Sequence, residues 1–440
     1  MLSPARDPFY AGGKGSKEKA EWFAAIWERE GFERGIHLRR IHYRLVSKEG
    51  ITKADGTPYE NTHKCWTYLT EAACHARYLG LVDPNLMVDR RNPEPYVRAL
   101  PSHYVETSWK CRPFFWPMPR VNAFLKDGND WEMPCIYPTG YSYSAHLQPY
   151  HLEVWVEKTT MNDVLEPLCD RFCANLVTGA GFLSVTSITS LMERIKEIGK
   201  PCRIFYISDF DPSGSYMPFS VSRQIEYWKD YYSIDCNLKV AQLALTQEQV
   251  EKYKLPSIPI KESDSRKENF KKAYGQDATE LDALEAQFPG ELGRLVREEL
   301  EKYFDFELEN AYEEAYKEAL EVIREWKEKH LTQYEEELQK FNEEKRRVVQ
   351  KYEKVLQEIQ EKCEVELEHY GEPLEKLRHA IEDELNKARH NNEIDLPPLP
   401  EPNVAGDEDD VWIYDSSRDY LEQLEVYKAL MPNGKEIEWA

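Results

Sequence analysis

No run of about 18 consecutive apolar residues occurs in these 440 residues, so no membrane-spanning helix is expected. Met1 to Tyr10 lack the basic start and apolar core of a secretory signal, and a secreted precursor is not expected. No glycine-rich loop closing on Lys-Ser/Thr is found, so the chain carries no recognisable P-loop ATPase. Cysteines are few and poorly paired. There are nine, an odd count, and only Cys169 and Cys173 stand close, with no second pair to complete a zinc site. Free thiols in a reducing cytoplasm are the expectation, nucleoid-associated if the chain is bacterial. Basic charge is also short, with a formal charge of −23. The deficit is uneven. Residues 1–150 balance at +3, 151–250 at −4 and 251–440 at −22. The C-terminal half therefore repels nucleic acid, and only the N-terminal half can meet it.

Apolar periodicity and turn residues divide the rest. Residues 1–20 read as a flexible start with Gly12, Gly13 and Gly15 among lysines. Helices are predicted over Lys17–Glu30, His37–Ser47 and Asn61–Leu79, the last capped by Asn61 or Thr62. Leu81–Asp89 reads as extended. Three short helices and a strand pair within 21–95 suit a winged helix-turn-helix. Residues 96–150, rich in proline and aromatics, read as irregular strands and a connector. Over 151–295 the pattern becomes strand, helix, strand, helix, strand, which predicts an α/β fold with a parallel sheet and crossover helices. Such sheets carry function at the carboxyl ends of their strands. Residues 296–391 read as long helix. Tyr334, Leu338, Phe341, Val348, Tyr352, Val355 and Ile359 form a heptad seam with Lys345 at its one polar position. Gly371-Glu372-Pro373 interrupts it before Leu374, Leu377, Ile381 and Leu385, giving a helical hairpin or a dimeric coiled coil. Residues 392–410 read as an acidic, disordered linker, and 411–440 as a small helical tail.

Three carboxylates fall at strand ends of the α/β segment. Glu157 follows the first strand; Asp209 and Asp211 follow the third, two apart and so on one side of an extended segment. Three oxygen donors in one crevice suit a hard cation, most often Mg²⁺. Without a metal they repel phosphate; with one they organise it. The plain alternative is a solvated acidic loop. A second candidate is Tyr43. Leu38, Ile41 and Leu45 line one face of its helix, and Tyr43 lies about 140° round from Leu38. Arg39 and Arg40 precede it by one helical turn. A phenol is a weak nucleophile with a pKa near ~10, and flanking guanidiniums favour the phenolate. Exposed tyrosines are also common, and this chain has 27.

Together these segments resemble a known family. Glu157-Lys158 after an apolar strand, Thr178-Gly179-Ala180-Gly181-Phe182, and Asp209-Phe210-Asp211-Pro212-Ser213-Gly214 are similar to the Toprim domain of topoisomerase VI A subunits and the meiotic double-strand-break transesterase. Leu38-Arg39-Arg40-Ile41-His42-Tyr43 resembles the family's Lys-Arg-Asp-Ile-Tyr-Tyr, whose last tyrosine is the nucleophile. Ala244-Leu245-Thr246, Leu255-Pro256 and Glu280-Leu281-Asp282-Ala283-Leu284 resemble a later Toprim segment. The resemblance spans about residues 20–300 and implies a winged-helix domain followed by a Toprim domain; the acidic coiled-coil extension beyond is foreign to the family core. It implies a homodimer acting on double-stranded DNA with Mg²⁺, or Mn²⁺ as a substitute. Tyr43 of one protomer would attack a phosphodiester at the metal of the other, leaving a 5′-phosphotyrosyl link. Glu157, Asp209 and Asp211 would hold the metal, and Arg39 and Arg40 would position phosphate. Glu280 and Asp282 either face the same crevice or simply start a helix.

The sequence also departs from the family. Ala180, Leu183 and Ser184 replace a lysine, a proline and an aspartate, and Arg40 stands where an acid is usual. The arm that engages a separate ATPase subunit is short, which puts strand passage in doubt more than cleavage. Two other readings stay open: a hydrolytic Toprim nuclease of plasmid or phage defence, with Tyr43 incidental, and a non-catalytic DNA-binding scaffold whose coiled coil recruits another protein subunit.

Overall fold

The computed structural model describes residues 10–88, 93–101, 106–117, 129–179, 184–260, 262, 264, 266–353, 365–407 and 411–430. They form two compact units. The first comprises residues 1–102, 145–304 and 404–440, the second 103–144 and 305–403.

The first unit opens with three helices, α1 (Lys14–Glu30), α2 (Leu38–Val46) and α3 (His63–Tyr78). α1 starts three residues earlier than the periodicity predicts. Ala11, in the stretch read as flexible, is fully buried. Gly31 ends α1 in the left-handed region, φ 61°, where glycine carries no Cβ penalty. Thr62 caps α3 through its hydroxyl, which accepts from the Cys65 amide. Phe23, Trp27, Ile41, Leu45, Leu69 and Ala73 form the shared core. The extended segment expected over Leu81–Asp89 is instead a 3₁₀ turn, Pro84–Leu86, begun by the Asp83 carboxylate accepting from the Asn85 amide. Among the described residues of 21–95, β pairing is limited to the single bridges Ile36–Met87 and Thr52–Pro58; Asp89 lies outside the described residues.

The α/β segment builds one sheet. With β1 (Ser108–Cys111) and β2 (Ile136–Thr139) left to the second unit, its strands are β3 (His151–Val156), β4 (Asn175–Thr178), β5 (Cys202–Ile207), β6 (Leu238–Ala244) and β7 (Tyr414–Asp415), in the order β4-β3-β5-β6-β7. The first four are parallel, and β7 joins β6 antiparallel. Every residue of β3, β4 and β5 is buried, as expected where helices cover both faces of a parallel sheet. Side chains alternate between the faces. Val154, Val156, Phe205 and Ile207 pack on the side of α4 (Asn162–Phe172) and α10 (Glu291–Glu301). Trp155, Ile204 and Tyr206 pack on the side of α5 (Val185–Ile198) and α6 (Met217–Tyr231).

Glu153 stands in the middle of β3. It is fully buried and accepts two hydrogen bonds from Arg194 at 2.9 Å, one from Trp155 Nε1 at 2.6 Å and one from Asn175 at 3.2 Å. Its carboxylate also meets His151 Nε2 at 2.9 Å. Burial pushes this carboxyl up, but Arg194 and His151 outweigh it and hold it well below the usual carboxylate range. Its stabilising contribution is therefore complete above the ordinary value of 4.5 and is lost as pH falls below it. Glu153→Gln, which leaves Arg194 unpaired, is expected to cost about 3–5 kcal/mol at pH 7 and to flatten the fall in stability between pH 5 and 3. Urea midpoints of both proteins across that range check it.

The segment read as a disordered linker is tied down where it is described. Asp407 receives Arg203 at 2.6 and 2.7 Å, Lys239 at 2.7 Å and the Tyr303 hydroxyl at 3.1 Å. Trp412 and Ile413 are buried, and Ile413 donates its amide to Val240. Arg203 and Lys239 neutralise the Asp407 carboxylate here. Residues 408–410 lie outside the description. The last helix runs Tyr420–Leu430.

In the second unit, a ribbon of β1 (Ser108–Cys111) and β2 (Ile136–Thr139) shares a core with α11 (Leu308–Glu353) and α12 (Gly371–His390). Trp109, Ile136, Ile323, Leu338, Leu377 and Ile381 form it. The heptad seam is thus met within the chain. The polar seam position, Lys345, is 1% exposed; it donates to the Asn129 carbonyl at 3.0 Å and sits 5.1 Å over the Trp131 ring. The neighbouring Asn342 side chain bonds both the amide and the carbonyl of Trp131 at 2.8 Å. Val349 rather than Val348 is the buried valine, and Val355 and Ile359 lie outside the described residues. The interruption falls at 369–370, and Gly371 opens α12, with Pro373 in its first turn, where no amide is needed. No described helix is long and apolar enough to cross a membrane.

Candidate functional site

The carboxylate cluster lies in the first unit, at the carboxyl ends of the adjacent strands β3 and β5. The Glu157 amide continues the ladder to Ile207 at 3.0 Å. Its Oε2 accepts from the Asp209 amide at 3.2 Å, which joins the two strand ends. Asp209 is 6% exposed. Its Oδ1 accepts from the Leu281 amide at 2.7 Å, and its Oδ2 meets the Lys158 ammonium at 3.0 Å. Asp211 accepts from the Gly214 amide at 2.6 Å. Gly214 is required there: a Cβ would lie 2.1 Å from the Asp209 carbonyl oxygen. Phe210 exchanges both backbone hydrogen bonds with Thr279, at 2.9 and 2.8 Å, and so carries the segment 279–282 to the crevice.

Burial, then the charges of Asp209 and Asp211, push the Glu157 carboxyl up to about 7. Burial likewise raises Asp211, with Asp209 and Asp264 adding to it. Dehydrated, mutually repelling carboxylates are the condition that a hard divalent ion relieves. The donor set is all oxygen, and the fit to Mg²⁺ or Mn²⁺ rests on that. As they stand, no three His, Cys, Asp or Glu side chains among the described residues are arranged to hold a metal ion. Asp209 is engaged by Leu281 and Lys158, and Asp211 by its own turn.

Two features of the crevice were not read from the sequence. Lys158 also meets Asp282 at 2.9 Å and Glu280 at 3.7 Å. Glu280 and Asp282 do start the helix Leu281–Gln287, and they face the crevice as well. Arg266 reaches Ser213 Oγ at 2.9 Å and Asp264 at 3.2 Å. The signal for Lys158 was its place directly after Glu157. Nothing in the sequence pointed to Arg266. The motif residues Ala180, Gly181, Phe182 and Leu183 lie outside the described residues; Ser184 caps α5.

Tyr43 stands elsewhere, on α2. It is 57% exposed, and its hydroxyl bonds no described residue. Arg39 and Arg40 are exposed beside it, Arg39 lying 5.9 Å over the Trp66 ring. The inward face of α2 carries Ile41, Leu45 and also His42, which bonds the Tyr59 hydroxyl at 2.7 Å and Asn61 at 3.3 Å. Glu157, Asp209 and Asp211 are therefore brought together, as are Arg39, Arg40 and Tyr43. No described contact joins the two groups within one chain.

No protein-family model matches this sequence, and no curated protein matches it.

Proposed function

We propose that this chain cuts double-stranded DNA by tyrosine transesterification, in the manner of topoisomerase VI A subunits, as a homodimer of winged-helix and Toprim domains. The observation that carries the reading is the Asp209 amide bonded to the Glu157 carboxylate, which gathers acids from separate stretches of chain at two neighbouring strand ends. Parallel sheets take ligands at that edge.

Glu157, Asp209 and Asp211 would hold Mg²⁺ or Mn²⁺. The ion, when bound, would supply Lewis-acid polarisation of the scissile phosphate. Arg39 and Arg40 would grip flanking phosphates, where the guanidinium fork fits two oxygens. Tyr43 Oη would form a bond to phosphorus as the bond from phosphorus to the 3′-oxygen breaks, and the phenol's proton would pass through solvent to the released 3′-oxygen. The outward direction of Tyr43 suits attack on DNA held at the partner protomer's carboxylates. A separate ATPase subunit would be needed for strand passage.

One observation favours the hydrolytic reading instead: the Tyr43 hydroxyl has no described partner to activate it. Incubation with 3′-end-labelled duplex and Mg²⁺, followed by denaturation, separates the two. Label travelling with protein is the expected result. Cleaved but protein-free label supports hydrolysis, and intact duplex rejects both.

A further inference from the structure

The cation nearest the acids of the crevice belongs to the protein itself. Lys158 leaves the chain directly after Glu157, and its ammonium meets three carboxylates, Asp209 at 3.0 Å, Asp282 at 2.9 Å and Glu280 at 3.7 Å. These partners differ. The Asp209 side chain is 9% exposed, whereas those of Glu280 and Asp282 are about half exposed. One anchor is fixed and dry, with its other oxygen held by the Leu281 amide at 2.7 Å. The other two sit at a helix start open to water. A divalent ion bound at Asp209 would lie within a few ångströms of this ammonium, and like charges that close repel strongly where water is scarce. The ion and the ammonium cannot both keep Asp209 as their nearest partner.

We infer that Lys158 is a resident counter-ion that competes with the divalent cation for Asp209, and that metal loading moves its ammonium outward onto Glu280 and Asp282. The metal-free crevice is then held closed by an internal salt bridge. Its acids do not repel one another into disorder, and adventitious cations meet an occupied position. This inference rests on the metal-binding role proposed for Glu157, Asp209 and Asp211, and it assigns Lys158 as a positioning residue that sets the metal concentration at which the site fills. The segment 279–282, hydrogen-bonded to Phe210, receives the displaced charge without leaving the crevice.

Mn²⁺ binding to the full-length protein, measured by calorimetry without DNA, tests this apart from activity. Lys158→Gln removes the charge at similar length and should bind Mn²⁺ about 10-fold tighter or more, while Lys158→Arg should stay near the wild type. The Gln variant should also melt earlier in EDTA and gain more from added Mn²⁺ than the wild type does. In the unaltered protein, an amine-reactive reagent read out by peptide mass spectrometry should modify Lys158 faster once Mn²⁺ is present. This arm stands even if the Gln variant fails to fold. Unchanged or weaker Mn²⁺ binding by Lys158→Gln, or protection of Lys158 by Mn²⁺, overturns the inference and leaves the metal site intact. Failure of wild type and Lys158→Gln alike to bind millimolar Mn²⁺ removes the metal site and this inference together.

Discussion

Asp209→Asn is expected to lower DNA cleavage in Mg²⁺ by about 10³-fold or more. Asparagine keeps the shape and the oxygen that accepts from the Leu281 amide at 2.7 Å. What it removes is the charge of a buried carboxylate on which the proposed metal site depends. Lys158 retains Asp282 and Glu280, so the fold should persist. Asp209→Ala should be as inactive but less stable, because the Leu281 amide then lies buried without an acceptor, at a cost of about 1–3 kcal/mol. Supercoiled plasmid conversion, read beside thermal melts of the three proteins, checks both statements. An Asp209→Asn protein that cuts at the wild-type rate would refute the metal-dependent reading in either form, transesterase or nuclease.

Tyr43→Phe is the second large effect. Under the transesterase reading it removes the atom that bonds to phosphorus, so the covalent complex disappears and cleavage falls by at least about 10³-fold. The change costs little structurally. Tyr43 is 57% exposed and its hydroxyl bonds no described residue, and such surface substitutions usually stay within about ±0.5 kcal/mol. Arg39 and Arg40 are untouched, so DNA affinity at fixed salt should hold. A Tyr43→Phe protein that still cleaves, leaving ends free of protein, would shift the assignment to metal-dependent hydrolysis. Lost affinity beside lost cleavage would mean that the side chain binds DNA and does not attack it.

Local chemistry made much of this chain legible. The capping hydroxyl of Thr62, the apolar stripe of Ile41 and Leu45 and the apolar run Ile204–Ile207 in β5 each follow from a few neighbouring residues. The acids were legible because a strand that ends in Asp-x-Asp-Pro must turn there. The role of Glu153 was not legible for an equally physical reason: its period-two position says which face it takes, but not that Arg194, 41 residues on, waits on that face. Lys345 broke the heptad because its partner is the carbonyl of Asn129, 216 residues away. Asp407 read as part of a solvated acidic tract, since Arg203 and Lys239 lie far off in sequence. In each case a charge was decided by a partner distant in sequence.

The sequence alone determined the alternation of strand and helix over 151–295 and the outward direction of Tyr43 beside two arginines, because those depend on periodicity and spacing. Tertiary structure alone decided that Glu157 and Asp209 meet, that Lys158 joins them and that Tyr414–Asp415 pair with β6 at the edge of the sheet. Such pairings are set by strand order and register, and a linear pattern of apolar residues does not encode which strand lies beside which.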